Sequence, residues 1–257
     1  MVLLCPFSVL ALLDQPKVST SATHQEGKIV LKAINLTAII TGPFVHVDAL
    51  MVFHNPTDDI LAGHFSFPLP ETATVTSYAL DVQGKMVDAV VVEKDHARVA
   101  FKGVERLRRR QKFIDPGILE KKEGNEFQTH IYPFFGKRSR SIRVSYVYHL
   151  SATNNEYQFE LPLPYQNVEI ITARVEIRDI NGVPKVKGPA AMTYGGMTAK
   201  LIINGKDLKK KSGIRVSFKK TSSIFLERSK DGHVYYAVTG HPQDPWKNVR
   251  KAPERIH

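Results

Sequence analysis

Apolar residues in the first half of the chain recur at every second position, the period of a pleated strand with one buried face. From Lys28 to Thr41, Ile34, Leu36, Ala38 and Ile40 share one face. From Phe44 to His54 the odd positions Val45, Val47, Ala49, Met51 and Phe53 are apolar, while the even face carries His46, Asp48 and His54. Gly42-Pro43 separates these runs, and Asn55-Pro56-Thr57-Asp58-Asp59 ends the second as a turn. Ile60 to Phe67 returns with Leu61, Phe65 and Phe67 on one face. Pro68 and Pro70 stop it, because proline donates no ladder hydrogen bond. Val75 to Val82 and Met86 to Val92 read as a hairpin across Gln83-Gly84-Lys85.

The period then changes. Ala97, Ala100, Phe101, Val104 and Leu107 recur at threes and fours, which predicts one amphipathic helix near 93–110. Its acidic first turn and arginine-rich last turn both suit the helix dipole. Asp115-Pro116-Gly117 breaks the chain. Phe127 to Tyr132 and Ser141 to Tyr148 follow as strands joined near Gly136, with Ile142, Val144, Tyr146 and Tyr148 on one face of the second. Beyond the polar run 151–155 come six further strands, near 157–163, 168–178, 197–204, 214–218, 224–228 and 234–239. Short strands at this spacing predict a mainly β chain: an antiparallel β-sandwich with one helix, then a second β-rich segment. The expected divisions are an N-terminal arm over 1–27, a domain over 28–150, the second segment over 151–240 and a linker over 241–257.

Composition adds one distinctive feature. The 42% hydrophobic and 24% charged content is that of a globular chain, but the net charge of +11 with a pI near 9.6 is high. Such a balance favours acidic partners, although a solvated basic surface is its ordinary explanation. The candidate polyanion-binding residues are Arg106, Arg108, Arg109, Arg110 and Lys112, with Lys206 and Lys209 to Lys211 as a second cluster. Few aromatics flank them, so an anionic glycan is favoured over nucleic acid. The single cysteine, Cys5, excludes an internal disulfide and lies in an apolar arm. No apolar run reaches the roughly 18 residues of a membrane-spanning helix. Met1 to Ala22 is apolar enough for a signal peptide but lacks a basic start, so an intracellular site is mildly favoured over secretion.

Catalytic patterns are absent from the sequence: there is no Gly-x-Ser-x-Gly elbow, no phosphate loop and no His-Glu-x-x-His. His46, Asp48 and His54 share a strand face, but His54 is too far along it to share a metal with His46. Glu93, Lys94, Asp95 and Arg98 read as solvated helix charges. No catalytic, cofactor-binding or metal-binding residue is assigned. Phe65, Phe67, Tyr78, Phe101, Phe127, Tyr132 and Tyr146 read as core.

Several short runs in this half occur in a telling order. They are Asn55, Phe65-Ser66-Phe67-Pro68-Leu69-Pro70, Glu93-Lys94 with Ala97 and Phe101, and Asp115-Pro116-Gly117-Ile118-Leu119-Glu120. Gly124-Asn125-Glu126-Phe127, Ile131-Tyr132-Pro133, Arg140 and Tyr146 complete the order. This succession resembles the vault protein inter-alpha-trypsin (VIT) domain, over roughly Lys28 to Leu150. The resemblance implies a β-sandwich with one crossover helix, no catalytic residues, no metal and no cofactor. It also implies a protein-interaction, adhesion or scaffold role, with the protein partner unspecified. Such domains usually precede a von Willebrand factor type A domain, whose Asp-x-Ser-x-Ser metal loop does not occur here. The sequence therefore reads as part of a larger protein of that kind. The alternatives are a polyanion-binding protein and a hydrolase built around His46 and Asp48.

Overall fold

The computed structural model describes residues 15–20, 29–70, 72–89, 91–92, 119–121, 125–163, 167–178, 182–188, 191–195, 198–204, 212–219, 224–228 and 232–238. The expected helix over 93–110 lies outside the described residues. So do Cys5, Phe101, Arg106, Arg108, Arg109, Arg110, Lys112, Lys206 and Lys209 to Lys211.

The chain divides into two compact units, residues 1–220 and 221–257. The first holds β1 (Lys17–Thr20), β2 (Val30–Thr41), β3 (Phe44–His54), β4 (Leu61–Pro68), β5 (Thr74–Val82), β6 (Lys85–Ala89), β7 (Val91–Val92), β8 (Leu119–Lys121) and β9 (Glu126–Phe134). It continues with β10 (Ser139–His149), β11 (Ala152–Thr153), β12 (Glu156–Leu163), β13 (Ile170–Arg178), β14 (Lys185–Lys187), β15 (Ala191–Gly195), β16 (Thr198–Asn204) and β17 (Ser212–Lys219). The second unit contains one antiparallel hairpin, β18 (Ile224–Arg228) and β19 (Val234–Val238).

An eight-stranded sheet in the order β15-β16-β13-β2-β3-β10-β5-β6 carries the fold. Its pairings are antiparallel except that of β13 with β2, which runs parallel from Ile170 opposite Ala33 to Arg178 opposite Thr41. Residues after 150 thus extend the same sheet as β2. A five-stranded sheet, β1-β4-β9-β8-β7, faces it. The two layers meet through aromatic rings: Phe53 of β3 stands edge-on to Phe65 of β4 at 5.8 Å, and Phe67 of β4 to Tyr146 of β10 at 6.1 Å. This is the expected sandwich, with inner faces interdigitating. A four-stranded sheet, β11-β12-β17-β14, adds Tyr157, Phe159, Leu161, Ile214, Val216 and Phe218 to the same apolar core.

The alternation read from the sequence is the burial pattern observed. Val45, Val47, Ala49, Met51 and Phe53 are at most 1% exposed, as is every one of Ile34, Ala38, Ile40, Ile142 and Val144. The hairpin between β5 and β6 closes through Gln83 and Gly84, both at positive φ, the geometry that matches strand twist. Asp81 caps it by accepting the Gly84 N–H at 2.7 Å.

Two readings need correction. The arm expected over 1–27 is not wholly outside the domain: it includes β1, whose Val18 and Thr20 are buried on the edge of β4. Gly63 makes room for it: a Cβ there would lie 2.3 Å from Val18 Cγ1. A four-residue strand is too short for alternation to reveal it. Tyr132 was expected in the core and is instead 50% exposed. In β9 the inward positions are Phe127, Thr129 and Ile131, so His130 and Tyr132 point outward.

Phe67→Ala or Tyr146→Ala should lower stability by about 3–5 kcal/mol, because each leaves a cavity where the layers meet. In a double-mutant cycle by urea unfolding, the pair should couple by about 0.5–1.5 kcal/mol. Additive losses would show that the ring contact contributes nothing.

Candidate functional site

The turn after β3 is organised by one buried carboxamide. Asn55 is fully buried at the point where the core alternation of β3 ends. Its Nδ2 donates to the carbonyl of Asp59 at 2.8 Å and to that of Phe134 at 3.0 Å. Its Oδ1 accepts from the Thr57 N–H at 3.0 Å and the Thr57 hydroxyl at 2.7 Å. The Asn55 N–H donates to the Arg138 carbonyl at 3.0 Å. One side chain thereby closes its own turn and ties it to the β9–β10 turn, 79 residues on. The Lys137 N–H donates to the Thr57 carbonyl at 2.8 Å, and its ammonium to the Pro56 carbonyl at 2.7 Å. Gly136 is required by the close approach, since a Cβ would sit 2.3 Å from the Asp58 carbonyl oxygen.

A second carboxamide works the same way at the start of β9. Asn125, held at positive φ, donates from Nδ2 to the carbonyls of Pro70 and Ala73, the latter at 3.0 Å. Its own carbonyl accepts the Leu69 N–H at 3.3 Å. Next to it, the Ser66 hydroxyl donates to Glu126. That bond outweighs partial burial, which acts the other way, and holds the Glu126 carboxyl below its ordinary range. Its stabilising effect is present above the unfolded carboxylate range and is lost as pH falls through the lowered value. Arg140 spans the layers, donating to the carbonyls of Asp81 at 2.9 Å and Pro133 at 3.2 Å. Burial raises the hydroxyls of Tyr146 and Tyr148 above the ordinary phenol range, and a coulombic effect of Tyr146 adds to the rise at Tyr148.

The outer face of β3 does not assemble a catalytic group. Asp48 accepts the Ser145 hydroxyl at 2.8 Å and lies 3.6 Å from the Arg143 Nε. His54 Nδ1 pairs with the Ser139 hydroxyl at 3.0 Å. His46 and His54 are eight residues apart on one strand, roughly 26 Å. Asp48 and His54 are each matched to their own cross-strand serine on β10, while His46 stands opposite Val147. Among the described residues, no three His, Cys, Asp or Glu side chains gather to hold a metal.

Two surfaces remain that present recognisable chemistry. At the Asn55 knot, Leu61 pairs with Phe134, and Ile60 and Phe135 are the residues next to that pair in the chain. They are 55% and 46% exposed, and the Arg138 guanidinium lies 5.9 Å over the Phe135 ring. Sequence reading missed this platform; its signal was Phe134-Phe135, two successive aromatics of which an alternating strand buries only one. The outer face of the four-stranded sheet carries Lys185, Lys187, Arg215 and Lys219 against Glu156 and Glu160. Lys185 pairs with Glu156 at 3.1 Å and Arg215 pairs with Glu160. Among the described residues no carboxylate pairs with Lys187 or Lys219. The sequence-derived cluster of Arg106, Arg108, Arg109, Arg110 and Lys112 lies outside the described residues.

Comparison with known proteins gives one family match. Residues 31–146 match the family model of the vault protein inter-alpha-trypsin domain. No curated protein matches the chain. Among solved structures, it is similar to a mutant M1 zinc metallopeptidase from Deinococcus radiodurans bound to a Tyr-Ser-Ala substrate, with 9% identity and a TM-score of 0.42. That match covers 89% of this chain and 51% of the other, so the chain spans about half the length of the metallopeptidase. It is also similar to a putative nutrient binding protein from Legionella pneumophila, with 9% identity, 80% and 70% coverage and a TM-score of 0.45.

Asn55→Ala should destabilise by at least about 1–3 kcal/mol, the usual effect of leaving buried backbone groups unpaired. Gly136→Ala should also destabilise, through a steric clash with Asp58, while Gly84→Ala, with open space around it, should be limited to backbone strain. Urea unfolding checks all three. A fully stable Asn55→Ala variant would show that water replaces the carboxamide without loss.

Proposed function

We propose that the VIT domain formed by residues 31–146 makes this chain a non-catalytic protein-interaction module, a scaffold rather than an enzyme. The observation that carries this reading is the use made of its polar residues. Asn55, Asn125, Glu126 and Arg140 all bond across turns or between segments, and three of them bond backbone carbonyls. These groups hold loops still. Two of them, Asn55 through Phe134 and Arg138, and Arg140 through Pro133, bond the backbone beside the platform of Ile60, Phe135 and Arg138. Exposed apolar and arginine side chains on a rigid support are the usual anchors of protein recognition, because little conformational entropy is lost on binding. The partner in this reading is another protein.

A second reading is favoured by the outer face of the four-stranded sheet, where four cations meet two carboxylates. In a chain of net charge +11, that face and the arginines at 106, 108, 109 and 110 suit an anionic glycan.

The two readings separate experimentally. For the first, the triple variant Ile60→Ser, Phe135→Ser, Arg138→Glu should keep the parent melting temperature. It should fail to retain a partner that the parent chain co-isolates at stoichiometric yield from native extract. An identical partner set for both proteins would remove the platform from the reading. For the second, parent protein should be retained on heparin at moderate salt. Replacing Arg106, Arg108, Arg109 and Arg110 with glutamine should abolish retention, and each lost contact should flatten the salt dependence. If retention survives that change but not Lys187→Gln with Lys219→Gln, the sheet face is the binding surface.

A further inference from the structure

We propose that His64 and His130 form a two-imidazole chelate for a divalent cation of the zinc class, on the outer face of the five-stranded sheet. The two residues are 66 positions apart in the chain but directly opposite in the β4–β9 register. Both point to solvent, and their rings stand edge to face with centroids 5.0 Å apart and planes at 69°. An imidazole nitrogen binds zinc at about 2.0–2.1 Å, which puts the metal about 3.2 Å from the ring centre. Two rings sharing one metal at a roughly tetrahedral angle therefore have centres about 5 Å apart, the spacing found here. The chelate needs no backbone movement, because both strands are held in their ladder on either side of the pair. Phe65 pairs with Thr129 and Gly63 with Ile131.

The surroundings are polar and admit water. Ser19 of β1 is the register partner of His64, and its hydroxyl donates to the His64 carbonyl at 3.4 Å. Ser66 and Gln128 face each other in the next row. Two protein nitrogens with the remaining positions filled by water make an open, exchangeable site, unlike the closed four-ligand sites that hold structural zinc. A cation there joins two strands that are distant in sequence, so binding favours the folded chain. Borderline metals that accept imidazole, Zn2+, Ni2+ and Cu2+, are the class such a pair selects over Mg2+ or Ca2+.

The test uses the full chain with Zn2+ as the probe. Calorimetric titration should give one site per chain, weakened at least about tenfold by either His64→Gln or His130→Gln, since each variant loses the second, effectively intramolecular ligand. His54→Gln should leave that affinity unchanged. In the parent protein alone, the ring signals of His64 and His130 in 1H–15N spectra should shift together on adding Zn2+. Parent affinity in either single variant, or a shift confined to one ring or to neither, would overturn the chelate.

Discussion

Strand β3 fixes the register on which everything else is hung. It is paired along its whole length on both sides, from Thr41 opposite Phe44 to Val30 opposite His54 on β2, and from His149 to Ser139 on β10. Its odd positions are buried and its even positions are not. Because side chains alternate with a period of two, a slip of one residue would drive His46, Asp48 and His54 inward together. Burying three such groups without partners is prohibitive, whereas the observed register gives Asp48 and His54 hydroxyl partners on β10. The same register brings the end of β3 to the interior. The residue that follows must therefore be both buried and able to satisfy a turn, and a carboxamide meets both conditions.

That requirement explains the polar positions of the VIT succession. A turn leaving a packed sheet exposes backbone donors and acceptors to a region with little water, and they must be matched. Asn55 supplies two donors and an acceptor, and Asn125 two donors, each from a compact side chain that imitates backbone. Both join segments more than fifty residues apart. Asn55, Glu126 and Arg140 each close a contact between segments distant in the chain.

Much of this was legible in the sequence, for identifiable reasons. The faces of β2, β3, β4 and β10 follow from alternation over eight or more residues, long enough for a period to be read. The β5–β6 turn follows from Gln83-Gly84. What escaped was short or non-local. β1 has four residues, and its burial depends on Gly63 of another strand. The parallel docking of β13 on β2 joins residues well over a hundred positions apart, which no local pattern encodes. Tyr132 was misassigned because aromatic character outweighed alternation in the reading; position within the strand decides the face, and its inward neighbour Ile131 takes the core site. The juxtaposition of His64 with His130 is likewise a product of register alone.

The distribution of groups then determines where such a domain can vary. Inner faces are filled by interlocking rings of Phe53, Phe65, Phe67 and Tyr146, where a change of one methylene is felt. On the outer face of β3, Asp48 and His54 are bonded to serines of β10, so a substitution at either must be answered across the strand. The positions free of both demands are those whose backbone is fixed but whose side chains contact little, such as Ile60 and Phe135. Rigidity is supplied by Asn55, and identity is left open. Exposed side chains on this loop pair can therefore change without disturbing the core that holds the pair, because the buried Asn55 carboxamide keeps the backbone in place.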